Sequence, residues 1–256
     1  MSRSLRRFYV DNHFQAENVS LALSDRETFH LHRVLRLKPG DTCQIFNSQG
    51  QEALAVVEEV LEKCAKLQLK KILPLKKKPL ILNVVQALPQ KRILDDLVKK
   101  AEELGVHKLW ITETERTVVK MRPEARERAK NRWDRIVIEA AKQSGNSMLT
   151  QIEGPLSFTK VIDENLKSRE HAFIFHPDPA GLRFSSAVEG LRKITTQETP
   201  ASIFLFLGPE GGFTEAEVHL AESRGVQKVF LGDSLLRIDT AFIGAVSALQ
   251  FMLSQS

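Results

Sequence analysis

The segment Leu207-Gly208-Pro209-Glu210-Gly211-Gly212-Phe213 decides the fold class, because it joins a strand signal to a helix signal through a glycine-rich turn. Before it, Ser202–Phe206 has the length and bulk of a strand that is buried on both faces. After it, Thr214 and Glu217 have the spacing of a capping box, which predicts the start of a helix. A strand, a tight turn and a helix in this order are typical of a parallel α/β sheet.

A second glycine segment, Leu231-Gly232-Asp233-Ser234-Leu235-Leu236-Arg237-Ile238-Asp239-Thr240-Ala241, follows the short strand signal Lys228–Leu231. Two such turns at the ends of neighbouring parallel strands form one crevice, which is where α/β sheets bind ligands. Glycines let a ligand approach the backbone closely. The first segment lacks the Gly-Lys-Ser/Thr ending of a triphosphate loop and comes too late in the chain for a dinucleotide fingerprint, so it argues against both ligand classes.

The pattern changes along the chain and predicts two domains. Residues 1–73 contain short alternating segments between tight turns, which predicts a small β-barrel. Residues 74–79 contain two prolines and three lysines, and we expect them to form a linker. Residues 80–256 alternate strand signals with helix signals such as 92–104 and 124–144. This alternation predicts a mostly parallel sheet with helices on both faces.

Positive charge is concentrated in part of the chain. Residues 1–79 carry 14 Lys+Arg against 9 Asp+Glu, whereas residues 80–256 carry 23 of each. Within the second part, residues 116–142 hold nine basic and four acidic residues. Phosphate backbones attract such surfaces, so nucleic acid is one candidate partner, and a solubilising face is the alternative.

Other features restrict the cellular context. No apolar run is long enough for a membrane span, and the first residues lack the apolar core of a secretory signal. The two cysteines, Cys43 and Cys64, and the seven histidines have no metal-ligand spacing. We therefore expect a cytoplasmic protein without a metal site. From Thr240 to Ser256 there is no charged residue, so we expect this last helix to be covered by its own domain or by a second subunit; we favour a homodimer.

The glycine segments, GPEGGF followed by LG-x-x-LLR-x-x-TA, resemble the signature of the SPOUT superfamily of methyltransferases. More closely, the chain resembles the RsmE family of 16S ribosomal RNA (uracil-N3) methyltransferases. The similarity extends over nearly the whole chain and includes Arg7–Val10, His32–Asp41 and Ile138–Ser144. It implies a PUA-like β-barrel at the N-terminus, followed by a SPOUT domain with a deep trefoil knot.

The resemblance also implies a cofactor, a substrate and a partner. The cofactor is S-adenosylmethionine, the substrate is a uridine of 16S ribosomal RNA or of the small ribosomal subunit, and a second copy of the chain helps to complete each site. The implied cofactor-binding residues lie in the two glycine segments and in one further turn: His176, Pro177, Leu207, Gly208, Pro209, Glu210, Gly211, Gly212, Leu231, Gly232, Leu235, Leu236, Arg237 and Thr240.

The reaction that the resemblance implies assigns roles to particular residues. Arg237 is the candidate to stabilise a uracil anion, and Glu210 or a water molecule is the candidate to accept the N3 proton. The predicted RNA contacts are four arginines: Arg7, Arg33, Arg36 and Arg116. The family often has arginine where this chain has Ser234 and Asn146, and it more often has Thr-Glu where this chain has Ile238-Asp239. These differences predict weaker binding of RNA phosphates or a different RNA target.

Two alternatives stay open at this point. One is a SPOUT methyltransferase that acts on another RNA, for example on a ribose 2′-hydroxyl of transfer RNA. The other is an RNA-binding or ribosome-assembly protein without catalysis. Binding of S-adenosylmethionine separates the second alternative from the two enzymes.

Overall fold

The chain divides into an N-terminal and a C-terminal unit. A computed structural model describes residues 5–76, 80–89, 91–166, 171–178, 181–191 and 201–253. The N-terminal unit comprises Met1–Lys77 and Ile138–Leu149, and the C-terminal unit comprises Lys78–Val137 and Thr150–Ser256. Residues 77–79 of the predicted linker and residues 254–256 of the predicted last helix lie outside the described residues.

The N-terminal unit is built on a five-stranded sheet with the order β1-β3-β4-β5-β2. Its strands are β1 (Arg7–Tyr9), β2 (Ser20–Ala22), β3 (Thr42–Phe46), β4 (Glu52–Val60) and β5 (Ala65–Ile72). All neighbours are antiparallel except β1 and β3, which are parallel. Helix α1 (Asp25–Phe29) begins at the N-cap Ser24 and continues into a π-helical turn, His30–Val34. Phe8, Leu31, Ile45, Leu67 and Leu69 form the centre of its core.

The C-terminal unit contains a sheet of seven parallel strands with the order β10-β12-β9-β11-β6-β7-β8. The strands are β6 (Leu80–Ala87), β7 (Lys108–Glu113), β8 (Gln151–Ser157), β9 (His171–Phe175), β10 (Leu182–Arg183), β11 (Ala201–Leu207) and β12 (Gln227–Phe230). The predicted α/β class with a parallel sheet is confirmed. The trefoil knot stays a prediction.

Helices cover both faces of this sheet. They are α2 (Lys91–Glu103), α4 (Phe158–Asn165), α5 (Phe184–Leu191), α6 (Glu215–Ser223) and α7 (Ile238–Leu253), while α3 (Pro123–Ser144) lies between β7 and β8 in the chain. One face carries α4 and α6, and the other carries α2, α5 and α7. Strand β11 alternates between them, with Phe204 and Phe206 towards α4 and Leu205 towards α7. In the described part of the chain, no helix combines the length and apolarity that a bilayer crossing needs.

Helix α7 is only partly covered by its own unit. One stripe of the helix, which includes Phe242 and Leu249, is fully buried. On other faces Ile243 is 37% exposed and Phe251 is 66% exposed. The single chain therefore leaves apolar surface on this helix in contact with water.

Candidate functional site

Three loops meet at one edge of the C-terminal sheet. Strands β12, β9 and β11 are direct neighbours and run parallel, so their carboxyl ends lie at the same edge. The turn 176–178 follows β9, the loop 208–213 follows β11, and the loop 231–237 follows β12. All predicted cofactor-binding residues lie in these loops, apart from Leu207 at the end of β11 and Thr240 in the first turn of α7. The structure thus brings together the two glycine segments and the turn at His176.

The loop after β11 is tightly folded. The backbone N–H of Gly212 donates a hydrogen bond to the carbonyl oxygen of Pro209 at 2.9 Å. A Cβ atom on Gly208 would lie 3.2 Å from the backbone of Gly212 and 3.3 Å from the ring of Phe213, so a larger residue does not fit without movement. Phe213 is buried against Phe158, while Glu210 and Gly211 are exposed. The buried ring anchors a loop whose tip faces solvent.

Gln86 holds the start of this loop from the neighbouring strand. Its side chain is fully buried at the end of β6, and Nε2 donates to the carbonyl oxygens of Gly208 at 3.2 Å and Leu207 at 3.4 Å. Within the described residues its Oε1 atom has no hydrogen-bond partner. Sequence reasoning missed Gln86. The available signal was an amide at the end of an otherwise largely apolar strand.

Arg116 holds the tip of the same loop. Its Nη1 atom donates to the carbonyl oxygen of Gly211 at 2.8 Å and to that of Phe213 at 3.3 Å. The Cδ, Cβ and Cγ atoms of Arg116 lie 3.4, 3.5 and 4.0 Å from the position that a Cβ on Gly211 would occupy. Arg116 follows β7 and remains exposed. The structure therefore gives it a contact with the glycine loop in addition to the predicted RNA contact.

The turn after β9 places an imidazole at this edge. The His176 side chain is 16% exposed, and its Nε2 atom lies 3.6 Å from Oε1 of Glu215. Its Nδ1 atom is buried and has no partner among the described residues. Pro177 is exposed, and the next residue, Asp178, accepts a hydrogen bond from Nζ of Lys228 at 3.0 Å. This bond raises the pKa of Lys228 and ties the turn to β12.

The loop after β12 presents apolar and cationic side chains to solvent. Leu235 is 88% exposed and Leu236 is 38% exposed. Gly232, Ser234, Arg237 and Thr240 are also exposed, whereas Leu231 is half-buried. In the described part of the chain, the Arg237 guanidinium has no hydrogen bond or ion pair. Because α7 begins at Ile238, Asp239 lies in its first turn, where a carboxylate is favourable.

The predicted RNA contacts in the N-terminal unit have different environments. Arg33 and Arg36 are exposed, Arg33 in the π-helical turn and Arg36 just after it. The prediction for Arg7 is corrected. Its side chain is 7% exposed, and Nη2 forms an ion pair with Glu52 at 2.8 Å. A guanidinium enclosed in this way is not exposed to RNA, and its removal would leave the buried carboxylate of Glu52 without this partner.

No group of three or more histidine, cysteine or acidic residues with the arrangement of a metal site occurs among the described residues. Cys43 and Cys64 are free thiols. Burial, together with the charge of Asp41, raises the pKa of Cys43 to about 12. This thiol is therefore neutral and unreactive near neutral pH.

Family models match both parts of the chain. The RNA methyltransferase domain matches residues 76–250, and the RNA methyltransferase PUA domain matches residues 23–68. Ribosomal RNA small subunit methyltransferase E of Synechocystis is 30% identical over 93% of this chain and 75% of its own length. The protein of the same name from Bacillus subtilis is 26% identical over 96% of both chains.

Solved structures agree with these matches. Ribosomal RNA small subunit methyltransferase E from Neisseria gonorrhoeae, bound to S-adenosyl methionine, has a TM-score of 0.83 and 25% identity, over 97% of this chain and 98% of that chain. A Legionella pneumophila protein in complex with the same cofactor also has a TM-score of 0.83, with 27% identity over 96% and 97% of the two chains.

The parallel sheet with glycine loops at its carboxyl edge, together with the matched domain, defines an RNA methyltransferase. The chain belongs to the ribosomal RNA small subunit methyltransferase E family.

Proposed function

We propose that the protein transfers a methyl group from S-adenosylmethionine to N3 of a uridine in 16S ribosomal RNA. The observation that carries the proposal is the convergence of the loops after β9, β11 and β12 at one edge of the sheet. Family membership supports the reaction class, and the relatives' names support the ribosomal substrate. A ribosomal RNA substrate supports a cytoplasmic location, which is part of this proposal.

The residues at this edge fit the proposed cofactor. Among the described residues the buried Nδ1 atom of His176 has no hydrogen-bond partner, and the side chains of Leu235 and Leu236 are exposed, so both polar and apolar groups are available to contact a ligand. The backbone of the loop 208–213 offers polar groups for an adenine edge and a ribose, and the leucines offer surfaces for the adenine faces. When bound, the cofactor supplies an electrophilic methyl group.

The chain's own residues prepare the uracil. N3 carries a proton at neutral pH, and it must lose this proton before the nitrogen acts as a nucleophile. Glu210 is exposed at the tip of the glycine loop, where its carboxylate can accept the proton. The guanidinium of Arg237, which is exposed and has no ion pair with any described residue, can stabilise the negative charge on the uracil oxygens. Since N3 lies on the pairing edge, the target uridine must be unpaired or extruded.

The N-terminal unit serves RNA binding in this proposal. Its match to the PUA domain and the exposure of Arg33 and Arg36 support this role. Residues 1–73 then form the RNA-binding domain, 74–79 the linker, and 80–256 the knotted methyltransferase domain. Arginine is frequent in the family at the positions of Ser234 and Asn146. In this chain, the remaining cations must therefore provide more of the contacts with phosphates.

We propose that the enzyme is a homodimer through α7. The partial exposure of Ile243 and Phe251 supports this, because two such helices can bury each other's apolar surface. Sedimentation at micromolar concentration should give the mass of two chains, and Phe251→Asp should shift the protein towards the monomer. A wild-type monomer would contradict the proposal.

Calorimetric titration of the intact protein with S-adenosylmethionine tests the cofactor. We expect saturable binding at one site per chain. A protein that does not bind S-adenosylmethionine would fit the alternative of an RNA-binding or assembly protein without catalysis.

Mass spectrometry of ribosomal RNA from a strain that lacks the gene tests the target. N3-methyluridine should disappear from 16S ribosomal RNA and return when the gene is restored. Restoration with Arg237→Ala should leave the modification absent although the protein folds normally. Loss of a ribose methylation instead would identify another RNA target for the same fold.

A further inference from the structure

A groove of about 430 Å³ opens in the C-terminal unit, outside the three loops described above. Its walls are the residues after β6, the segment 119–122 and one side of α3. Leu88, Leu94 and Ala129 form a buried apolar floor, and Met121 lies half-buried beside them. A floor of this kind suits a flat, weakly polar ring such as a nucleobase.

The rim of the groove is strongly positive. Four cations line it: Lys120, Arg122, Arg128 and Arg132. Arg132 forms an ion pair with Asp95 at 2.9 Å, whereas the other three are exposed and have no carboxylate within 4.0 Å among the described residues. None of the described lining residues is acidic. Three uncompensated cations around an apolar floor are complementary to a phosphate chain that carries bases.

The position of the groove relates it to the candidate active site. Leu88 and Pro89 directly follow β6, which pairs with β11, so the groove opens at the edge of the sheet where the glycine loop lies. The segment after β7 supplies Lys120 and Arg122 to the groove, and it also supplies Arg116, which binds the carbonyl oxygen of Gly211. One stretch of chain therefore contributes to both places.

We infer that this groove binds the RNA strand that carries the target uridine. Lys120, Arg122 and Arg128 hold its phosphates, and the floor formed by Leu88, Leu94 and Ala129 takes a base next to or at the methylated position. This inference rests on the proposed function and adds a binding site to it. Because the rim is positively charged, we expect RNA to occupy the groove and not a second copy of this chain.

Binding of 16S ribosomal RNA transcribed in vitro tests the inference, with the dissociation constant measured at several salt concentrations. The triple variant Lys120→Gln, Arg122→Gln, Arg128→Gln should weaken binding at least about tenfold. Its slope of log affinity against log salt should fall by about 2, since each phosphate contact with a single strand contributes about 0.7. Its affinity for S-adenosylmethionine should be unchanged.

The matched control is Arg126→Gln, Lys130→Gln, Arg135→Gln, which removes the same charge from α3 outside the groove. It should change affinity and slope much less. A steric variant, Ala125→Trp, fills the groove without a change of charge and should also weaken RNA binding. Equal losses of RNA affinity in the two triple variants, or no RNA binding by the wild type, would overturn the inference. So would a groove variant that no longer forms the dimer but keeps its RNA affinity. A wild-type protein that fails to bind S-adenosylmethionine would instead contradict the proposed function.

Discussion

The guanidinium of Arg116 donates a hydrogen bond to the carbonyl oxygen of Gly211 at 2.8 Å, and it thereby connects the loop after β7 to the glycine loop after β11. Carbon atoms of the same side chain lie 3.4 to 4.0 Å from the position that a Cβ on Gly211 would occupy. The two residues are 95 positions apart in the chain. This contact sets the conformation of a loop whose other anchors, Gln86 and Phe213, are buried.

Arg116→Ala should therefore weaken the binding of S-adenosylmethionine. A hydrogen bond from a charged donor contributes about 1.5 kcal/mol at the lower end of its range, which corresponds to roughly a tenfold higher dissociation constant. Calorimetric titration measures this effect. Arg126→Ala is the control, because Arg126 is also exposed and lies 3.9 Å from Glu113, away from the loop. Equal affinities of the wild type and Arg116→Ala would show that the contact does not order the loop for binding.

Gln86→Leu should reduce both stability and cofactor affinity. The change removes the buried donor that reaches the carbonyl oxygens of Leu207 and Gly208, at a cost of about 1–3 kcal/mol in the free energy of unfolding. Because the loop loses its anchor, the dissociation constant of S-adenosylmethionine should rise as well. Denaturant unfolding and calorimetry measure the two effects.

Asn83→Leu is the matched control for Gln86. Asn83 lies on the same strand, is 5% exposed, and its Nδ2 atom donates to Oγ of Ser202 at 3.2 Å, towards the opposite edge of the sheet. It should lower stability without a change in cofactor affinity. If both variants lose affinity equally, the loss at Gln86 reflects general destabilisation of the sheet.

The sequence predicted those elements whose signals are local. Strands β6 and β11 have bulky apolar runs, and the capping box of Thr214 and Glu217 is present at the start of α6 as expected. Strand β8 was missed because Gly154 and Pro155 interrupt it, and such residues usually end a strand. They are tolerated because β8 is at the edge of the sheet, where one side needs no partner strand.

The candidate site was predictable only in part, for the same reason. Glycines, Arg237 and His176 stand out in the sequence because each has a local signal beside a predicted strand end. Gln86 and the contact of Arg116 with Gly211 depend on strand order and on long-range packing, which a single sequence does not specify. A single sequence also does not specify the grouping of Ile138–Leu149. This segment includes the end of α3, which begins in the C-terminal unit, yet it groups with the N-terminal unit.

Gly154→Ala should strongly destabilise the C-terminal unit. Gly154 has φ of +106°, and an added Cβ would lie 2.2 Å from the carbonyl oxygen of Ile111 on β7. Backbone atoms of a paired strand have little room to move, so we expect a loss of about 3 kcal/mol or more. Gly190→Ala is the control: Gly190 lies in α5, and no atom of the described residues is within 4 Å of an added Cβ. That variant should be neutral or slightly stabilising in thermal unfolding. Normal stability of Gly154→Ala would contradict the geometry of β8.

Arg7→Met should separate structural from RNA-binding arginines. Arg7 and Glu52 form an ion pair in which the side chains are 7% and 4% exposed, and Arg7 also lies over the ring of Phe46. Removal of Arg7 leaves the buried charge of Glu52, which then pairs only with Lys76 on the exposed side. The free energy of unfolding should therefore fall by about 3 kcal/mol. At a temperature where the variant stays folded, its affinity for 16S ribosomal RNA should equal that of the wild type.

Arg33→Met should show the reverse, with normal stability and weaker RNA binding, because Arg33 is exposed. A normally stable Arg7→Met with reduced RNA affinity would restore Arg7 as an RNA contact.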